Sequence, residues 1–407
     1  MAEVLRLPKG FKASSLEVGV RYEGRLDVGL IASDPPAAAA ACFTENAIKA
    51  APVRIGIERF LEKMGQVELS ALIVNSGNAN ACTGRQGLES TQLILDALSG
   101  ALGVSGDQVL MSSTGVIGEP LPYEKIIRAI PGLVDGLSEE GLLGVAQAIL
   151  TTDTREKVVS RKIAMERGEA TMVGIAKGAG MIAPKMAAPH ATMLAFILTD
   201  ASVEHETLQK LLSMAVDASF NRITVDGDTS TNDTVFLLAN GASGTAPLNM
   251  ASGPDLERFK EALFGVSKEL ARMIVRDGEG ATKVVEIVVR GGWSLEEVRD
   301  CAVAIANSPL VKTAFFGEDP NWGRIVAAAG KAGHPLIEEA LTLWIGDVLL
   351  VTNGEFQGKD QEARAHEVMK RDEFTVTLEI GTGDYQYSML TTDLTKDYVS
   401  INADYRS

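Results

Sequence analysis

At 407 residues and a formal net charge of −16, the chain exceeds the length one hydrophobic core sustains, so two or more packed units are expected. The acidic balance, with no basic run or basic face, argues against nucleic acid or an anionic membrane as partner, and no apolar run approaches the ~20 residues of a membrane helix. A substrate bearing carboxylates would meet an opposing overall field that local cations must overcome. Cys42, Cys82 and Cys301 are odd in number and far apart, and the start MAEVLRLPKGFKAS lacks the apolar core of an export signal, which fits a reducing cytoplasm.

From Leu16 to Ser33 the residues alternate, with LDVGLIAS the strongest strand, and Pro35-Pro36 is expected to end it. The Ala-rich AAACFTENAIKAAPV reads as packing. Leu69 to Val74 is a buried strand leading into NSGNANACTG, whose Asn and Gly residues suit tight turns and can aim N–H groups at an anion, a plain connecting loop being the alternative. Leu93, Leu95, Leu98 and Leu102 predict a helix over 88–102, closed by Gly103 and Gly106. Val109 to Met111 returns to strand and delivers SSTGVIGEPLP. Thr114-Gly115 therefore lies at a strand end, where glycine allows a backbone approach that a side chain would block. Leu142 to Leu150 ends another helix, and the TTDT after it reads as a cap or turn. Val158 to Ile163 and Thr171 to Ile175 are expected to pair as strands.

They feed Lys177 to Asp200, KGAGMIAPKMAAPHATMLAFILTD, on which the rest of the chain depends. Gly178, Gly180, Pro184 and Pro189 punctuate a loop, and Met193, Leu194, Phe196, Ile197 and Leu198 form a buried strand, so the Thr192 hydroxyl stands at a loop-to-strand boundary. Such a hydroxyl is a poor nucleophile without a base, and the chain has only four histidines. Cutting the chain before Thr192 would free an α-amine of pKa roughly 7.7–8 to serve as that base. Lys177 is the obvious local cation. GAGMIAPK lacks the GK[ST] ending and following helix of a phosphate loop, which excludes nucleotide binding there.

Beyond it, His205 to Phe220 is helical by spacing, and ITVDGDTSTNDTVFLLANG follows. Asp226, Asp228 and Ser230 imitate a calcium loop, but Thr231 stands where Gly is needed and Leu237 where Glu is, so no metal site is expected. The polar residues of that block either line a cleft or brace it. Asp255 to Val275 is the longest amphipathic helix, followed by a loop with Glu279, Thr282 and Lys283, a β-branched strand, and a helix over 294–305. Glu279, between two glycines, would ordinarily be solvated. In FFGEDPNWGR, Asp319, Asn321 and Arg324 read as structural. Strands near Leu341 to Val351, Thr375 to Glu379 and Gln386 to Leu390, with a charged helix at 361–370, suggest a smaller subdomain. The alternation of strands and helices argues α+β or α/β.

KGAGMIAP followed by ATMLAF, together with AAACFTENAIKAAPV, DGDTSTNDT, FFGEDPNWGR and DLTKDYVSINADYRS, resembles the self-cleaving ornithine acetyltransferase (glutamate N-acetyltransferase) family. The resemblance runs from the amino terminus to Ser407. One departure stands at its centre: this chain reads MAAPHATML, with Ala188, Pro189, His190 and Ala191 as a stretch the family's loop lacks. The resemblance implies cleavage of the Ala191-Thr192 bond into chains 1–191 and 192–407. It also implies an α+β fold of the amino-terminal-nucleophile type, a layered α/β/β/α sandwich, with 284–407 a C-terminal subdomain. Thr192 would be the nucleophile and Thr114 with Gly115 the oxyanion hole. Thr151, Lys177, Thr192, Glu279, Asn402 and Ser407 would contact substrate. The implied reaction moves acetyl from N-acetylornithine to glutamate in arginine biosynthesis through acetyl-Thr192, with no metal or redox cofactor and with acetyl-CoA open as a second donor. The two chains would form a heterotetramer, two of each.

Two other readings stand beside this one. An amino-terminal-threonine hydrolase or aminopeptidase would pass the acyl group to water, and a binding protein that had lost catalysis would keep the fold alone. Incubation with N-acetylornithine, with and without glutamate, separates transferase from hydrolase.

Overall fold

The computed structural model describes residues 6–183 and 193–404. They belong to two compact units, Met1–Asn221 with Asp228–Ile274 and Arg222–Gly227 with Val275–Ser407. The chain is of the α+β class expected, each unit being a mixed sheet with helices packed on it.

The first unit contains β1 (Phe11–Leu16), β2 (Val28–Phe43), α1 (Ala51–Glu62), β3 (Val67–Asn75), α2 (Gly84–Leu102), β4 (Val109–Ser113), α3 (Tyr123–Asp135), α4 (Leu142–Ala148), β5 (Lys157–Ala164), β6 (Glu169–Lys177), β7 (Leu194–Thr199), α5 (His205–Asp217) and β8 (Thr234–Ala239). Helix α6 (Gly253–Arg276) closes it. The eight-stranded sheet runs β4-β3-β2-β8-β7-β6-β5, with β1 also on β2. Strand β2 carries the sheet because its two halves do different work: Val28–Ser33 pairs with β1, and Ala38–Phe43 pairs with β8.

Pro35-Pro36 does not end β2. The ladder to β3 passes from Ala32↔Ala71 to Ala37↔Leu69, so Ser33 to Pro36 bulge out opposite Ser70, and Asp34, Pro35 and Pro36 are exposed. Proline is tolerated there because no ladder N–H is required of it. The Ala-rich block after the bulge is central strand. Small side chains at Ala37, Ala39 and Ala41 share a buried face with Phe43, which meets Phe60 of α1 and Phe236 of β8 edge-on. Strand β3 is buried on both faces, Leu72 and Val74 toward one core and Ala71 and Ile73 toward the other, which explains its unbroken apolar run. On β6, a Cβ at Gly174 would lie 2.7 Å from Val266 and 2.8 Å from Leu270, so glycine lets α6 approach the sheet.

The second unit contains β9 (Val284–Gly292), α7 (Leu295–Ala306), α8 (Pro309–Phe316), α9 (Trp322–Gly330), β10 (Thr342–Ile345), β11 (Val348–Thr352), β12 (Glu355–Phe356), α10 (Lys359–Met369), β13 (Glu373–Glu379), β14 (Tyr385–Thr392) and α11 (Lys396–Ala403). Its sheet runs β12-β11-β10-β13-β9-β14. The stretch Leu341 to Val351 is a pair of strands turned at Gly346, whose φ of 59° suits glycine. Val285, Ile287 and Val289 of β9 and Val376 and Leu378 of β13 build its core with Val298 and Ile305 of α7. Ser294 caps α7 by accepting the Glu297 N–H at 3.1 Å. The terminal stretch that reads as a tail forms α11, capped by Thr395, which accepts the Tyr398 N–H at 3.3 Å.

Candidate active site

Lys177 is the last residue of β6, paired with Leu194, the first of β7. An ammonium at a sheet end has three donors to place. Lys177 Nζ donates to Thr151 Oγ1 at 2.9 Å and to Thr114 Oγ1 at 3.2 Å, and it lies 3.9 Å from Asp153 Oδ2. Thr151 and Asp153 stand in the turn after α4, and Thr114 follows β4. Two segments far apart in sequence thus converge on one buried cation.

Asp153 organises the cluster, and sequence reasoning had passed over it. Its fully buried carboxylate accepts from Lys157 Nζ at 2.7 Å, the Gly178 N–H at 2.6 Å and the Thr151 N–H at 3.1 Å. Burial opposes its ionisation, but the charges of Lys177 and Lys157, with the Lys157 and Gly178 hydrogen bonds, outweigh that and hold the carboxyl down to about 2. The available signal was an acid two residues from Thr151 and four from Lys157 in a segment already read as a turn.

The Thr114-Gly115 turn is held by its backbone. The Thr114 N–H is used on Asn75 O at 3.0 Å, whereas its hydroxyl accepts from Lys177 and keeps its own proton to give. Gly115 has φ +134°, and a Cβ there would lie 2.3 Å from Gly77 C and 2.5 Å from Asn78 N, so no side chain fits. Among the described residues the Gly115 N–H has no hydrogen-bond acceptor. Asn232, in DGDTSTNDT, donates to Ala79 O at 2.5 Å and Ser113 O at 2.8 Å, while Ser113 donates to Asn75 Oδ1 at 2.7 Å. Of the two readings of that block, bracing is what Asn232 does.

In the second unit Glu279 is buried, not solvated, and its Oε2 accepts from Asn402 Nδ2 at 2.6 Å. Asn402 also donates to Tyr398 O at 3.0 Å within α11. The loop around Glu279 is fixed by Asp393, which accepts from the Thr282 N–H, the Thr282 hydroxyl and the Lys283 N–H at 2.9, 2.6 and 3.0 Å. Thr114, Gly115, Thr151 and Lys177 therefore gather in one unit, and Glu279 and Asn402 in the other. Thr192, Ala191 and Ser407 lie outside the described residues. Asn321 caps α9 by accepting the Arg324 N–H, and Arg324 donates to Leu310 O, which are structural tasks.

A family model described as the ArgJ family matches residues 12–407. The chain belongs to the ArgJ family. It is similar to the arginine biosynthesis bifunctional protein ArgJ of Geobacter sulfurreducens, 48% identical over 399 residues, which spans 98% of this chain and 99% of that protein. The protein of the same name from Syntrophotalea carbinolica is 46% identical over 398 residues, with 98% and 99% covered. Among solved structures, ArgJ from Bacillus halodurans is 40% identical with a TM-score of 0.49, matching 52% of this chain and 98% of that one. Ornithine acetyltransferase from Mycobacterium tuberculosis, solved with ornithine, is 33% identical with a TM-score of 0.38, matching 44% and 94%.

Within this ArgJ-family chain, the first unit offers two donors side by side, the Thr114 hydroxyl and the Gly115 N–H, beside an ammonium anchored by a buried carboxylate. Donors and a cation of this kind have the chemistry to hold a developing oxyanion and to attract a carboxylate. Among the described residues, no group of three or more His, Cys, Asp or Glu could hold a metal ion, and no helix is long and apolar enough to cross a membrane.

Proposed function

We infer that the chain is a glutamate N-acetyltransferase of arginine biosynthesis, moving acetyl from N-acetylornithine to glutamate through an ester on Thr192. The observation that carries this reading is the convergence of Lys177 on Thr114 and Thr151 in a chain that matches ArgJ relatives along 98% of its length. Thr192 Oγ attacks the acetyl carbonyl while its freed α-amine takes the hydroxyl proton. The oxyanion accepts from the Thr114 O–H and Gly115 N–H, the C–N bond breaks, and the amine returns the proton to departing ornithine. The glutamate amine then attacks the ester and gives a proton back to Thr192 Oγ. Lys177, Thr151, Glu279, Asn402 and Ser407 are the residues proposed to hold the two amino acids in turn.

The same hydroxyl opens the Ala191-Thr192 bond: it attacks the Ala191 carbonyl, the C–N bond breaks to leave an ester and the free α-amine of Thr192, and water then cleaves the ester to the Ala191 carboxylate and the Thr192 hydroxyl. Chains 1–191 and 192–407 then stay together, two of each, and work in the cytoplasm. Mass spectrometry of the purified protein should give those two chains, and light scattering the tetramer. Donor-only incubation should acetylate a peptide beginning at Thr192, and initial-rate plots should be parallel. Intersecting lines with no acetylated Thr192 would remove it as the carrier. Acetate released equally fast without glutamate would make the enzyme a hydrolase. Acetyl-CoA offered in place of N-acetylornithine shows whether that donor is accepted.

A further inference from the structure

Asp233, the residue before β8, is 3% exposed, and among the described residues its Oδ2 has no hydrogen-bond partner. It sits inside the knot that forms the site. Its carbonyl accepts the Thr44 N–H at 3.0 Å, and the next residue, Thr234, donates to Met193 O at 2.5 Å. Thr234, Leu194 and Lys177 are neighbours across β8, β7 and β6, and the preceding Asn232 reaches Ser113 O beside Thr114. Lys177 is the charged group whose field reaches the carboxyl, Ser230 is the polar residue that acts on it, and Thr44 and Met193 carry no titratable side chain.

A buried acceptor left unpaired costs about 1–3 kcal/mol, and an unpaired ionised one costs more. Burial pushes the Asp233 carboxyl well above the ordinary carboxylate range, with the Ser230 hydroxyl, the Lys177 charge and the Ser230 N–H pulling it only part of the way back. Asp153, as deeply buried, is kept ionised by two ammonium groups at close range. One site thus holds two carboxyls whose surroundings drive them to opposite charge states.

We propose that Asp233 is a positioning residue that remains a neutral carboxylic acid in the working enzyme, so that Lys177 shares its charge with one carboxylate, Asp153, instead of two. Lys157, Lys177 and Asp153 then leave one net positive charge for a substrate carboxylate to meet, in a chain whose overall charge of −16 opposes that substrate. This rests on the reading of Lys177 as a substrate contact. Ionising Asp233 would release its proton to solvent and cancel that charge.

Infrared spectroscopy of the processed enzyme at neutral pH tests the protonation directly. The carbonyl band of a protonated carboxyl should be present in the parent and missing in Asp233→Asn, and identical spectra overturn the proposal. If the variant does not accumulate folded, the parent labelled with carboxyl-¹³C aspartate replaces it, and absence of an isotope-shifted protonated band overturns the proposal equally. Kinetics test the consequence. As pH rises through the titration, KM for glutamate should climb roughly tenfold in the parent with little change in kcat, and Asp233→Asn should lack the climb. A climb that survives in Asp233→Asn refutes the charge-setting role, and a folded Asp233→Asn inactive at every pH makes Asp233 a base. Should the enzyme transfer no acetyl at all, the functional reading falls, while the infrared result still decides the state of Asp233.

Discussion

Replacing Asp153 with Asn tests whether the buried ion pair sustains the first unit. The carboxyl falls from an unfolded value of ~3.9 to about 2, and at 1.36 kcal/mol per unit this corresponds to about 2.5 kcal/mol of stability at neutral pH. Leaving Lys157 charged and buried without its carboxylate gives a similar figure, roughly 3–5 kcal/mol. Asn retains an acceptor for the Gly178 or Thr151 N–H but not the charge, so a loss of about 3 kcal/mol is expected in urea unfolding at pH 7. Because the folded value lies below the unfolded one, this contribution is complete above about pH 5 and is lost as pH falls toward 2. The parent should therefore weaken through that window by about 2.5 kcal/mol more than Asp153→Asn. A neutral-pH loss under ~1 kcal/mol, or parallel acid branches in the two proteins, would refute the assignment.

Thr114→Ala removes a hydroxyl donor while leaving its backbone bond to Asn75 intact, and should lower kcat by about 10²–10³ with the fold retained; an unchanged kcat removes Thr114 from the oxyanion hole. Gly115 is the poorer probe, because any Cβ there meets the Gly77 and Asn78 backbone and disturbs packing as well as chemistry. Asn232→Ala leaves the Ala79 and Ser113 carbonyls short of a buried donor and should lower the unfolding free energy by about 2 kcal/mol and loosen the Thr114 turn, read as faster amide exchange at Val116.

Where hydrophobic period and turn chemistry agree, the elements were legible. Strands β3, β5, β6 and β7 and helices α2, α5, α6 and α7 stand within a few residues of their predicted spans. The failures have local causes. Pro35 and Pro36 break the strand pattern on paper, but β2 throws them out in a bulge and resumes. Pro131-Gly132 hides α3, whose Ile126, Ile130 and Leu133 still form one buried stripe through the proline. Helix α1 hides in an Ala-rich run, where Pro52 is a starting signal and Gly56 packs under Phe43.

The side chains proposed to touch substrate carry sequence signals of their own, because a nucleophile or an ammonium is rare at a strand end; Lys177 and Thr192 could be named that way. Carboxylates cannot, because an aspartate in a polar turn is ordinary until something buries it. Asp153 and Asp233 sit in TTDT and STNDT, which look alike as strings. One is met by Lys157 and Lys177 and is driven to ionise, while the other is buried with its Oδ2 unpaired among the described residues and is driven to stay protonated. Only the pairing of β5 with β6 brings the first turn to Lys177, and only that of β6, β7 and β8 brings the second toward the same strand end. The charge of the site is thus a property of the sheet's register, and a one-residue slip of β6 against β5 would turn Lys177 to the other face, away from Asp153.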